Sequence, residues 1–178
     1  MKRLLKLMVV VFLCFAVHTA WADLEIGKVP KTVTLQDKLG GRLDGTPWNS
    51  EELKGKVSVI FYVDPDEKDM NNDTSEALKK ENFPLEKYQS YGMINMAATW
   101  LPNFAISASI EEKQKKYANT IYIRDYKKTL VNEWGIGDDT SDVLAFDKAG
   151  NLIFRKYGKL TDEEIKTLVA AIRANLDK

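Results

Sequence analysis

The amino-acid sequence predicts an α/β domain, a central mixed sheet flanked by helices. Three observations carry that prediction. Residues 56–63 (Lys-Val-Ser-Val-Ile-Phe-Tyr-Val) form a β-branched and aromatic run that ends at Asp64-Pro65, the pattern of a central strand buried on both faces. Downstream of it, strand-like and helix-like segments alternate. The chain then closes with two apolar runs joined by a tight turn, followed by an amphipathic helix.

The elements follow in order. Residues 32–35 alternate Thr-Val-Thr-Leu, a short strand of period two. Residues 40–45 (Gly-Gly-Arg-Leu-Asp-Gly) have turn chemistry. Asn49 and Glu52 stand three apart, the spacing of a reciprocal helix cap, and predict one helical turn. After the central strand, residues 74–81 predict a charged helix, ended or restarted by Pro84. Residues 93–100 are the next strand candidate, stopped by Pro102. Residues 109–118 predict a helix with Glu111, Glu112, Lys113 and Lys115 on a solvated face, and residues 120–124 a strand of Ile and Tyr. Residues 130–134 predict a short helix closed by Gly135. Residues 143–146 and 152–157 are strands joined by Asp147-Lys148-Ala149-Gly150-Asn151, so they should pair as an antiparallel hairpin. Thr161 and Glu164 form a capping box, and Ile165, Leu168, Val169, Ile172 and Leu176 recur at helical spacing. That last helix should lie across the sheet.

The first 22 residues read as a secretory signal peptide. Lys2, Arg3 and Lys6 precede an apolar run over residues 7–17, and Ala20-Trp21-Ala22 is a small-x-small cleavage signal. The apolar run is shorter than the roughly 20 residues a membrane span needs; a retained amphipathic anchor or a buried first helix is the alternative. Cleavage after Ala22 leaves one domain, residues 23–178, in the periplasm, with no membrane anchor. It removes three of the 26 basic residues and none of the 26 acidic ones, leaving 23 against 26 and a net charge of −3. Such a balance argues against a nucleic-acid partner, which would call for a basic patch. The single cysteine, Cys14, and the single histidine, His18, both lie in the removed piece. The mature chain therefore has no thiol with which to run disulfide exchange.

The order strand, helix, strand, helix, hairpin, terminal helix is that of the thioredoxin-like fold. Gly55-Lys56-Val57 leading into an apolar strand resembles the entry to the first core strand of peroxiredoxin-like and thioredoxin-like proteins. Trp134-Gly135-Ile136, Phe146-Asp147, Gly150 and Gly158 resemble their second half. With the export signal, the segment 103–117 and the run 134–160, the chain resembles the YtfJ family of exported bacterial thioredoxin-like proteins over residues 31–176. The resemblance implies fold and compartment; the family brings no established activity. The departures concern chemistry. The redox fold carries Cys-x-x-Cys after its first core strand, at a helix N-terminus that lowers the thiol pKa; here residues 64–70 read Asp-Pro-Asp-Glu-Lys-Asp-Met. The redox fold also has a proline before the hairpin strand; here Ser141 and Asp142 stand there.

Without histidine, neither a Ser-His-Asp triad nor a histidine metal site can be built, and no phosphate-binding Gly-rich loop occurs. Carboxylates remain. A thioredoxin-like topology would bring the loop after the first core strand beside the loop before the hairpin. That makes Asp64, Asp66, Asp69, Asp138, Asp139 and Asp142 candidate ligands for a divalent cation, the one cofactor candidate, because crowded carboxylates invite neutralisation and hard cations want several oxygens. Asp69-Met70-Asn71-Asn72-Asp73 begins like a calcium loop, but Thr74 and Lys80 stand where Gly and Glu are needed. The plainer alternative is a solvated loop with acids suited to a helix start. Most aromatic residues read as core and rim. Trp100, Pro102 and Phe104, beside one another at a strand end, are candidates for a protein-binding lip. The first functional reading is a non-catalytic exported module that binds an envelope protein or peptide. The alternatives are a carboxylate- or metal-dependent enzyme and a purely structural role.

Overall fold

A computed structural model describes residues 24–178. The expected signal peptide, with Cys14 and His18, lies outside the described residues. Six strands form one mixed sheet in the order β2-β6-β5-β4-β7-β8. Their ranges are β2 Gly40–Arg42, β4 Val57–Val63, β5 Tyr88–Asn95, β6 Thr120–Asp125, β7 Ser141–Phe146 and β8 Leu152–Lys156. β4, β5 and β6 run parallel, while β2, β7 and β8 pair antiparallel to their neighbours. Two further short strands, β1 (Thr34–Leu35) and β3 (Trp48–Asn49), pair with each other. The helices are α1 (Asn72–Glu81), α2 (Asn103–Lys116), α3 (Thr129–Trp134) and α4 (Asp162–Asn175).

Alternation along β4 sorts the core into two layers, because successive side chains leave a strand on opposite faces. Ile60 and Tyr62 join Leu35, Trp48, Leu130, Trp134 and Phe146 on one face. Val57 and Val59 join Leu78 of α1, Leu168 and Ile172 of α4, and Leu176 just after it on the other. The apolar stripe of α4 therefore lies across the sheet as its spacing requires. A third, smaller cluster sits under α2, where Ile106 and Ile110 meet Ile94 of β5.

The local signals act as expected at several points. Asn49 and Glu52 cap the 3₁₀ turn Ser50–Leu53 reciprocally, and Thr161 and Glu164 do the same for α4. Gly135 closes α3 with φ 63° and donates its N–H to the Val131 carbonyl at 3.0 Å. The hairpin turn is held by Asp147, whose Oδ1 accepts the N–H groups of Ala149 and Asn151, each at 2.9 Å.

Three expectations are corrected. Gly40 and Gly41 belong to β2, not to a turn; the turn spans the residues after them, where Gly45 N–H donates to the Arg42 carbonyl. Both glycines have φ near +140° (140° and 135°), and a Cβ on Gly40 would stand 1.9 Å from the Arg124 carbonyl oxygen. The glycines permit a strand that comes closer to β6 than any side chain allows. The second strand is residues 88–95 rather than 93–100. Its polar start, Tyr-Gln-Ser-Tyr-Gly, hides the period, and residues after Asn95 turn away. Finally, α2 starts directly after Pro102, whose fixed φ suits a helix entrance, six residues before the predicted start.

Both sheet edges are short or covered. β2 has three residues. At the β8 edge, Leu152 exchanges hydrogen bonds with the 27–28 segment, from Gly27 N–H at 2.7 Å and to the Lys28 carbonyl at 2.9 Å.

Candidate functional site

The carboxyl ends of β4 and β5, with the loop entering β7, meet at one end of the sheet. The two acidic loops are neighbours there: the Asp64 N–H donates to the Thr140 carbonyl at 2.8 Å. Their carboxylates are used separately. Asp64 is buried and caps the 3₁₀ turn Pro65–Glu67, its Oδ1 accepting the Asp66 N–H at 2.8 Å. Burial raises its pKa, and the charges of Asp66, Asp139 and Glu67 add to the rise. Asp66 is exposed on that turn. Asp69 lies between α1 and α2, accepting the Asn72 amide of α1 at 3.0 Å and the Lys113 ammonium of α2 at 3.1 Å. The Asn72 amide and then Lys113 hold it below the usual carboxylate range.

Asp138 accepts the Asn95 amide at 2.9 Å and the Lys128 ammonium at 2.6 Å. Burial pulls its pKa up, but Lys128 and Asn95 outweigh that and the net position is lowered. Lys128 also lies 4.0 Å from Asp139. A lysine of the chain thus supplies positive charge beside Asp138 and Asp139. Asp142 stands on β7 opposite Tyr62, fully buried. Its Oδ1 accepts the Gly158 N–H at 3.3 Å, while Oδ2 is buried outside hydrogen-bonding geometry, with the Gly137 amide close by. Burial pushes this carboxyl up to about 6.

The six aspartates therefore do not gather round one point. Asp64 and Asp139 approach each other, Asp138 turns to Lys128, Asp69 to α1 and α2, and Asp142 into the interior. Among the described residues, no group of three or more such side chains is arranged to hold a metal ion. Two polar residues that tie this end together are not legible as such in the sequence. Asn71 donates to the carbonyls of Ser141 at 2.8 Å and Gly158 at 3.1 Å and accepts the Leu160 N–H at 3.0 Å. Asp125, fully buried, accepts from the Tyr62 hydroxyl at 3.1 Å and the Leu130 N–H at 3.0 Å.

The lip residues lie on the β5–α2 connection. Trp100 is 88% and Phe104 77% exposed, and Pro102 between them is also exposed. Leu101 turns inward against Ile94, Ile106 and Ile110. Next to this segment, under α1 and α2, the sheet carries a cavity of about 520 Å³. Its floor includes Ser90 and Gly92 of β5. Two small residues inside a core strand are the signal that could have revealed it.

Residues 31–175 match the family described as "Bacterial protein of unknown function (YtfJ_HI0045)". A protein of Haemophilus influenzae described as "Uncharacterized protein" is 30% identical over 130 residues, covering 71% of this chain and 70% of its own. The "Uncharacterized protein YtfJ" of Escherichia coli K12 is 29% identical over 126 residues, 68% of each chain. Among solved structures, a thioredoxin-like superfamily protein superimposes with TM-score 0.60 at 19% identity, covering 84% of this chain and 98% of its own. The exposed lipoprotein thioredoxin of Streptococcus pneumoniae does so with TM-score 0.53 at 16% identity, covering 79% and 98%. These likenesses establish the thioredoxin-like fold. At the end of β4 this chain has Asp64, Pro65, Asp66 and Glu67, and there is no cis peptide bond among the described residues.

Proposed function

This chain belongs to the family described as bacterial proteins of unknown function (YtfJ_HI0045), and from that membership we propose that it serves in the periplasm as a non-catalytic thioredoxin-like module that docks an envelope protein or peptide. The observation that carries the reading is the exposure of Trp100 and Phe104, at 88% and 77%, on one short connection. Exposed large aromatic groups clustered on a surface favour partner contacts, since each loses apolar area from water on docking. The export leader read from residues 1–22 supports the compartment. No helix among the described residues is long and apolar enough to cross a membrane. The loss of the cysteine pair supports a role in binding rather than turnover.

A photo-crosslinking amino acid at position 104, expressed in the native bacterium, tests the reading. A discrete adduct that disappears with Trp100→Ala is expected, with none from a probe at exposed position 166 on α4. Equal labelling from both positions, or none from 104, would refute it.

A carboxylate-dependent activity has one observation in its favour, the raised pKa of Asp142. Its complete burial and the ammonium of Lys128 beside Asp138 weigh against it. Calorimetric titration with calcium and manganese tests that alternative: saturable heat abolished by Asp138→Asn would favour it over the docking reading.

A further inference from the structure

A cavity of about 520 Å³ lies between the sheet, α1 and α2. Native interiors hold few voids larger than a water molecule, and this volume falls in the range of small-molecule sites, about 300–1,000 Å³. The cavity follows from particular residues. On the sheet face that α1 and α2 cover, β5 presents Ser90 and Gly92; the Tyr122 ring lies over Gly92, where a Cβ would stand 2.9 Å from it, and the floor is low at Ser90. α2 is anchored by Ile106 and Ile110, both buried, while most of its other residues are partly or fully exposed. The space between is walled by Phe61, Leu78, Phe83, Ile94, Ile110 and Tyr122.

Two features of the wall point to a particular ligand chemistry. The first is charge. Lys68, Lys79, Lys113 and Lys116 all line the cavity, and no Asp or Glu does, in a chain with equal numbers of acidic and basic residues. Lys68, Lys79 and Lys116 are exposed, which puts cationic groups at the mouth and apolar ones within. Asp69 and Glu76 face Lys113 and Lys116 from outside the lining. The second is an orphaned donor. Tyr88, 8% exposed, lines the apolar part, and its hydroxyl is buried without a hydrogen-bond partner in good geometry, Ser90 being the polar residue beside it. A polar atom of a bound molecule would give this hydroxyl the partner it lacks.

We propose that this cavity binds a single-chain amphiphile, its alkyl chain lying over Ser90 against the ring of Tyr122 and its anionic head group held by the lysines at the mouth. The chain would remove apolar surface from water, and the head would stay at the rim, where an exposed ammonium need not be desolvated. A carboxylate or a phosphate monoester shares the required chemistry. The site does not include Trp100 or Phe104 and stands independently of the docking role.

Titration of the native protein, below the ligand's micelle concentration, with hexadecanoate, hexadecyl phosphate and hexadecanol decides the matter. The two anions are expected to bind with 1:1 stoichiometry and the alcohol at least tenfold more weakly. If hexadecyl phosphate alone binds, the head is a phosphate; if hexadecanoate alone, a carboxylate. Lys68→Gln with Lys79→Gln should weaken the anions about tenfold and leave the alcohol unchanged. Ser90→Leu, which fills the floor, should abolish binding of all three. Methyl NMR on the unsubstituted protein supplies a readout that does not depend on any variant folding: Ile94, Ile106 and Ile110 should shift on titration, and Leu144 and Leu152 on the opposite face should not. Absence of binding by both anions, or shifts confined to residues outside the cavity, would overturn the proposal.

Discussion

At neutral pH the Asp142 carboxylate is an ion held inside the sheet, and Asp142→Asn measures what holding it costs. Desolvation lifts its pKa from an ordinary 3.8 to about 6, against the opposing hydrogen bonding of the Gly158 and Gly137 backbone. The folded protein therefore keeps this proton more tightly than the unfolded chain does. Stability linked to the group is full below about pH 4, falls as the pH rises toward 6, and stays low above it. Each pH unit of difference is worth about 1.4 kcal/mol, so the penalty at pH 7 is about 3 kcal/mol. Asparagine keeps the shape and cannot ionise. The stability of the variant minus that of the natural protein should thus rise by about 2.4 kcal/mol between pH 4, where part of the penalty is already present, and pH 7, equivalent to roughly 5–10 °C in Tm for a domain of this size. Paired urea curves at each pH give that difference directly, and the titration of other carboxylates cancels in it. A difference that is flat across the range, or that grows toward acid, would refute the idea that this carboxylate is desolvated in the folded state.

Other substitutions test other layers of the argument. Gly40→Ala forces a Cβ to within 1.9 Å of the Arg124 carbonyl at φ 140°; a loss of about 2 kcal/mol or more, with faster amide exchange in β2 and β6, is expected. Asn71→Ala strips hydrogen-bond partners from Ser141, Gly158 and Leu160 together. Chemical denaturation should show a loss of about 2–4 kcal/mol, and a loss under 1 kcal/mol would mean water replaces the amide freely. Thr161→Ala removes the α4 cap and should cost about 1 kcal/mol by the same measurement.

The parts of the fold visible in the sequence are those governed by short-range rules. The run of residues 57–63, the reciprocal caps at Asn49 and Thr161, the Gly135 stop and the Asp147 turn each follow from chemistry within four residues. Where the outcome depends on a neighbour distant in the chain, the reading failed. Gly40 and Gly41 look like a turn until Arg124 is known to lie against them. Tyr88, Ser90 and Gly92 look too polar for a strand until it is known that they front a cavity. The acidic loops do meet as the topology required. What spacing could not reveal is which cation answers them: Lys128 and Lys113 come from separate elements, so the carboxylates are divided between two ammonium groups and the interior. The aromatic groups at 100 and 104 do flank a proline as the sequence shows, but on the connection between β5 and α2 rather than at the end of a strand.

The treatment of the sheet margins has a consequence for how anything can attach to this molecule. β2 has only three residues, two of them glycines at positive φ, and β8 is met at Leu152 by the chain's own 27–28 segment, with Arg155 and Lys156 beyond it. Neither border offers a straight, uncharged row of amides on which a visiting peptide could be knitted as an extra strand. Recognition has to happen through side chains instead, on a face or at a mouth, where selectivity comes from shape and charge rather than from the generic adhesiveness of an open backbone.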